Sequence, residues 1–239
     1  MKEQVLFEVN SRIATITLNR PERRNAINQE LLKNLYNYID EVSSNKDIGV
    51  AIITGRGKSF CSGIDLDCIE TDNLFNPRND GIELPMVFGS CHKPIIGAIN
   101  GHAITGGLEI ALNCDFLIAS EDAYFADTHS RVGIQPGWGM SQLLQRAVGI
   151  RMAKQMSLSC NFINADEALR CGLVNEIVPQ ERLMQRVQEI AADIISANQD
   201  MIVIMKDLID RGNRVTLAEG LALERNSFLE KVRQFNQDG

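Results

Sequence analysis

Apolar positions fall into short continuous runs in the first half of this chain and into helical spacing in the second. Val5-Leu6-Phe7-Glu8-Val9 and Ile13-Ala14-Thr15-Ile16-Thr17-Leu18 read as two strands joined by Asn10-Ser11-Arg12, the pattern of a hairpin, and Asn19-Arg20-Pro21 ends the second. Between 28 and 42, Leu31, Leu32, Leu35, Ile39 and Val42 recur on one helix face. Val50-Ala51-Ile52-Ile53-Thr54 and Lys93-Pro94-Ile95-Ile96-Gly97-Ala98-Ile99 have the unbroken apolar character of buried strands. Residues 68–83 mix polar positions with Pro77 and Gly81, which predicts a mobile loop before a helix near 83–91.

From about 138 onward the spacing is helical, through 138–147, 149–158, 165–170, 180–196, 200–211 and 215–235, interrupted by a strand-like piece from Leu173 to Val178. A mixed front half followed by helices predicts an α/β fold with one core over 1–180 and a helical C-terminal region over 181–239. The last helices carry more apolar residues than that core can cover, so they are expected to pack on the core and on a neighbouring subunit. No internal repeat or low-complexity tract interrupts the pattern.

The formal net charge of −7, with no Lys/Arg run longer than two, argues against nucleic acid or a membrane surface as an electrostatic partner. Six cysteines (Cys61, Cys68, Cys91, Cys114, Cys160, Cys171) are scattered without a C-x-x-C pair, as expected of reduced thiols in a chain too large to need a disulfide framework. No charged start precedes an apolar leader-like run and no run approaches membrane-spanning length, so the expected location is cytoplasmic.

Chemistry concentrates in Asn100-Gly101-His102-Ala103-Ile104-Thr105-Gly106-Gly107-Leu108-Glu109, a glycine turn between a strand and a helix with a carboxylate one turn on. First-turn N–H groups lack intrahelical partners and lie at the positive end of the helix dipole, so they can hold a developing anion, and glycine lets a ligand approach them. The competing reading is a structural turn with Glu109 as a solvated first-turn acid. Ser59-Phe60-Cys61-Ser62-Gly63-Ile64-Asp65-Leu66 repeats the pattern after the strand at 50–54, with Asp65 able to cap a helix and the Ile64 N–H available as a second donor. Gly55-Arg56-Gly57-Lys58-Ser59 lacks the upstream glycine of a phosphate loop. H-E-x-x-H, G-x-S-x-G and G-x-G-x-x-G patterns are missing, as is zinc-type Cys/His spacing, so no metal is expected.

Taken in order, Asn19-Arg20-Pro21-Glu22 with Asn25-Ala26, Phe60-Cys61-Ser62-Gly63-Ile64-Asp65-Leu66, Lys93-Pro94, Asn100-Gly101, Gly106-Gly107-Leu108-Glu109 and Cys114-Asp115 resemble the crotonase superfamily, the enoyl-CoA hydratase/isomerase proteins, over about residues 3–230. The resemblance implies a crotonase-like spiral of ββα units with a helical C-terminal trimerisation region, assembled as a homotrimer or, as a dimer of trimers, a homohexamer. It makes the N–H groups of Ile64 and Gly106 an oxyanion hole for the thioester carbonyl of an acyl-CoA. Ser62, Gly63, Asp65 and Leu66 would line the CoA path and Gly137 the substrate site. Coenzyme A enters as part of the substrate, with no separate cofactor.

Glu109 matches the first of the two glutamates with which hydratases of this family handle water, and His129 stands where the second is expected. Gly137 lies where dienoyl-CoA isomerases carry an acid, which disfavours that reaction. The implied activity is a hydratase of fatty acid and lipid metabolism, adding water across the C2=C3 bond of a trans-2-enoyl-CoA. Glu109 would activate water for attack at C3, and His129 would protonate C2 or orient the water. A Δ3,Δ2-enoyl-CoA isomerase using one base and a catalytically weak acyl-CoA-binding protein are the alternatives, and a His129 that only fills the pocket wall is the structural one. Arg131 suits either an acidic substrate group or a surface ion pair. His92 is expected to face solvent and His102 to pack under the oxyanion turn.

Overall fold

The computed structural model describes residues 3–237. Strands β1 (Val5–Asn10) and β2 (Ile13–Leu18) form the expected antiparallel hairpin, with Val5 opposite Leu18 and Asn10 opposite Ile13. Helix α1 (Gln29–Ser44) starts where the Asn28 side chain accepts from the Leu31 N–H at 2.9 Å, and it buries Leu31, Leu32, Leu35, Tyr36, Ile39 and Val42.

Three ββα passes follow: β3 (Val50–Gly55), β4 (Ser59–Cys61) and α2 (Leu84–Ser90); β5 (Ile95–Ile99), β6 (His102–Ile104) and α3 (Gly106–Leu112); β7 (Phe116–Ser120), β8 (Tyr124–Ala126) and α4 (His129–Val132). Then come α5 (Met140–Ser159), β9 (Ile163–Asn164), α6 (Ala165–Arg170) and β10 (Glu176–Val178). Each pass gives its first strand to a six-stranded sheet, ordered β1-β2-β3-β5-β7-β10, and its second to a four-stranded sheet, ordered β4-β6-β8-β9. All neighbours are parallel except β1 with β2 and β8 with β9. Helix α5 breaks at Gly149 (φ 78°, ψ 154°), where the sequence separates two helices.

The unbroken apolar strands are covered on both faces, as parallel strands must be. Ala51, Ile53, Ile95 and Ile99 enter the main core, while Val50, Ile52, Ile96 and Ala98 face a second cluster built on Leu183, Val187 and Ala191 of α7 (Leu183–Ser196). That packing carries the first compact unit to Ser196, whereas the sequence pattern alone draws a boundary at 180/181. From Ala197 a second unit holds α8 (Gln199–Gly212) and α9 (Leu217–Gln237), which pack on each other and leave Met205, Ile209, Leu221 and Phe228 exposed. Among the described residues no helix is long and apolar enough to cross a membrane.

Several residues of the ordered motif set hold this frame. The Asn25 amide reaches the carbonyls of Arg56, Ser59 and Phe60 at 2.8–3.1 Å, and the Asn100 side chain accepts from the Gly55 N–H and donates to Gly57 O. Lys93 Nζ donates to the Val42 and Asn45 carbonyls, and Asp115 accepts from the Ile95 N–H at 2.6 Å. Asn25 and Asn100 satisfy main-chain groups where the chain passes from β3 in one sheet to β4 in the other, while Lys93 holds the carboxyl end of α1 and Asp115 the start of β5.

Candidate active site

Three segments leave the carboxyl ends of the adjacent parallel strands β4, β6 and β8: residues 62–65, Thr105-Gly106, and Asp127–His129. In the first, Gly63 C=O accepts from Ile27 N–H and Asp65 N–H donates to Ile27 O, both at 2.8 Å. The peptide joining Gly63 to Ile64 therefore aims its carbonyl at Ile27 and its N–H the other way. In the second, Thr105 C=O accepts from Glu109 N–H at 2.9 Å inside α3, so the Gly106 N–H of the same peptide points back out of the helix. Among the described residues neither N–H donates to a main-chain acceptor.

The two turns touch through their glycines. A Cβ on Gly63, whose φ is 93°, would lie 3.4 Å from Gly106 N, and one on Gly106 would lie 3.6 Å from Gly63 Cα. Thr105 turns the chain with φ 52° and ψ −113°, a strained conformation for a β-branched residue. It is held by Thr105 N–H to Ala126 O at 2.8 Å and by its hydroxyl against the Thr128 hydroxyl at 2.5 Å, which also locks the second turn to the third.

Glu109 is buried, 1% exposed, which removes the solvated-acid reading. Its Oε1 accepts from the N–H groups of Trp138 and Met140 at 2.9 and 3.1 Å, both delivered by the Gly139 turn at φ 108°. Its Oε2 faces His129 Nε2 at 3.7 Å, too far for a direct hydrogen bond. Burial pushes the Glu109 carboxyl above the usual carboxylate range, and the two N–H donors and the imidazole only partly oppose it.

On its other side His129 Nδ1 lies 2.7 Å from Asp127 Oδ1, and that oxygen also accepts the His129 main-chain N–H at 3.2 Å. Asp127 is 3% exposed. Burial pushes its carboxyl up, but hydrogen bonds from the His129 ring, the Ser157 hydroxyl and the His129 N–H outweigh burial and hold it below the ordinary range. The result is a buried carboxylate, imidazole and carboxyl in a row, the first two from the turn after β8 and the third from helix α3.

His129, Ile64, Thr105, Ser62 and Leu66 line a cavity of about 90 Å³ that Thr128, Val132 and Ile134 complete. A water needs roughly 10–15 Å³ of such space, so the cavity has room for several waters or a short acyl segment. Asp65 caps the short turn Leu66–Cys68, as expected of it, and its carboxylate also pairs with Arg20 Nη2 at 2.9 Å. Gly137 lies under Phe75, whose Cε1 would be 2.2 Å from an added Cβ, and Phe75 leans on Trp138 at 5.6 Å between ring centroids.

Arg131 donates to Cys160 O at 3.3 Å. His92 is exposed. His102 does not pack under the turn: at the first position of β6 it is exposed and stacks on Tyr124 at 5.4 Å. A larger cleft of about 530 Å³, with Arg24, Lys58 and His102 in its wall, opens at the amino ends of β4 and β6, away from Glu109. Asp127 and the two N–H groups that hold Glu109 are absent from the sequence reading. The only trace of Asp127 is its position two residues before His129, a spacing that any turn can carry.

A family model described as enoyl-CoA hydratase/isomerase matches residues 8–238. A probable peroxisomal enoyl-CoA hydratase 1 of Arabidopsis thaliana is 40% identical over 216 residues, 89% of this chain and 80% of the relative. A short-chain-enoyl-CoA hydratase of Clostridium acetobutylicum is 39% identical over 95% of this chain and 88% of its own length. Among solved structures, an enoyl-CoA hydratase from Bacillus anthracis superposes with a TM-score of 0.87 at 31% identity, covering 98% of this chain and 96% of that one.

Proposed function

Because the chain belongs to the enoyl-CoA hydratase/isomerase family, the crotonase superfamily, we propose that its three-turn site hydrates the C2=C3 bond of a 2-enoyl-CoA thioester. The observation that carries this reading is the buried Glu109 facing His129 at 3.7 Å, beside two main-chain N–H groups aimed away from their own secondary structure. Ile64 and Gly106 N–H grip the thioester oxygen. One such donor is typically worth about 10²–10³ in rate, because the oxygen carries more charge in the enolate than in the substrate.

Glu109, with Oε1 pinned, presents Oε2 to the water that attacks C3 and takes its proton. His129, as imidazolium, gives a proton to C2 from Nε2 as the enolate collapses, and Nε2 regains a proton from Glu109. One water is consumed, a C–O and a C–H bond form, and the pair ends with the single transferable proton it began with. A Δ3,Δ2-isomerase needs one base only, and the second proton-handling group at 3.7 Å favours hydration over it.

Coenzyme A arrives as part of the substrate, along a path past Ser62, Gly63, Asp65 and Leu66, with Gly137 beneath Phe75 at the acyl side. Fatty acid breakdown in the cytoplasm fits this chemistry. An assembly of three copies, or two such trimers, would cover the apolar side chains that α8 and α9 leave exposed.

The test is hydration of crotonyl-CoA by the native chain, by Glu109→Gln and by His129→Ala, with a 3-enoyl-CoA run in parallel. Loss of turnover in both variants, on the order of 10²-fold or more, is expected from removal of a general acid or base. Full activity of His129→Ala would remove His129 from the mechanism, and turnover of the 3-enoyl-CoA alone would make the protein an isomerase.

A further inference from the structure

We infer that Asp127 is a positioning residue of this site: by accepting from Nδ1 it fixes the tautomer and the orientation of His129, so that Nε2 alone faces Glu109 and the cavity. This rests on the hydratase reading for its catalytic consequence, and on geometry for the rest.

An ionised carboxylate only accepts, so the 2.7 Å contact requires the hydrogen on Nδ1. The same oxygen takes the His129 main-chain N–H at 3.2 Å, so one atom anchors both the ring and the backbone of a residue two positions on. A free neutral imidazole distributes its hydrogen between two nitrogens and can flip end for end. Here neither freedom remains. Nε2 is the donor to C2 when the ring is charged, and when the ring is neutral it is the lone pair that takes the proton back from Glu109. Asp127 also supplies a permanent counter-charge to the imidazolium, a role that a second glutamate at position 129 would not need. Among the described residues the charged groups facing the ring are Glu109 on α3 and Asp127 on its own turn; Ser157 of α5 gives Asp127 a neutral hydroxyl.

Two measurements decide the point. In the ¹⁵N-resolved imidazole spectrum of the native protein, assigned with His129→Gln, the neutral ring of His129 should carry its hydrogen on Nδ1. A hydrogen on Nε2 would overturn the inference whatever the enzyme's activity. In the crotonyl-CoA assay Asp127→Asn should lower kcat on the order of 10²-fold with KM changed by less than about threefold. Asp127→Glu, which keeps the carboxylate acceptor, should recover part of the kcat that Asp127→Asn loses. An Asn variant within about twofold of native kcat would also overturn the inference. A native chain inert toward crotonyl-CoA would instead sink the hydratase reading, and the spectrum would then judge Asp127 alone.

Discussion

Replacing Gly107 by alanine adds one methyl group where the structure has no room for it. The new Cβ would stand 2.2 Å from Cys61 O, 2.7 Å from Cys61 C and 2.8 Å from Cys61 Cβ. An ordinary carbon–oxygen approach is about 3.3 Å, so α3 and the end of β4 must separate by about 1 Å, and the obstacle is main chain that cannot swing aside. Two terms oppose each other in stability. Alanine is the better helix former by about 1 kcal/mol, while overpacking of a buried contact costs about 1–3 kcal/mol. We expect a net loss, seen as a lower Tm.

The kinetic effect of that substitution should be larger than the thermal one. Gly107 stands between Gly106 and Glu109, and a shift of about 1 Å in a reacting geometry costs on the order of 10² in rate. Crotonyl-CoA hydration should therefore show a kcat loss of that order in protein that is still folded. Gly106→Ala is the control: its Cβ meets the Ile27 and Trp138 side chains, each at 3.2 Å, and Gly63 Cα at an ordinary 3.6 Å, and it keeps its N–H. A Gly107→Ala enzyme with kcat within about threefold of native and an equal or higher Tm would refute the argument that this contact sets the spacing of the two turns.

Two further substitutions test the charges. Burial raises the Glu109 carboxyl, so the stability that group lends is fully present below the ordinary glutamate value of about 4.3 and is lost as pH rises through the raised value. Glu109→Gln keeps the acceptor for Trp138 and Met140 N–H and cannot ionise. It should therefore melt higher than native at pH 8, with the gain shrinking towards pH 4, while losing activity. A variant less stable than native at pH 8 would contradict this. Arg20→Ala strips the partner from Asp65 in a pair whose side chains are 13% and 7% exposed, and removes a donor to Ala26 O. Loss of one member of a buried pair costs about 3–5 kcal/mol, readable by urea unfolding, and a cost under about 1 kcal/mol would show that the pair is solvated.

Long elements were legible because their patterns are local. The runs at 5–9, 13–18, 50–54 and 95–99 became β1, β2, β3 and β5, and the face Leu31 to Val42 became α1. The three-residue strands β4, β6 and β8 left no such trace: each exists only through its ladder with a neighbour about forty or twenty residues away, which periodicity cannot register. Glu109 and His129 were legible as residue types at motif positions. Asp127 was not, because an acid two residues before a histidine gains meaning only when the chain turns between them. The Trp138 and Met140 donors belong to main chain, which every residue but proline possesses, so side-chain identity could not mark them.

The three segments of the site begin one residue past ladders that main-chain hydrogen bonds alone hold in register. Two of them offer amide groups, which survive any substitution except proline. The third offers a side chain, and nothing in the ladders depends on which one. The scaffold is thus a fixture with two permanent sockets and one interchangeable one: an acid, an imidazole or an inert residue can be mounted at 129 while the two outward-facing amide groups stay where they are. A change of reaction then needs new partners for that one side chain, and no new fold.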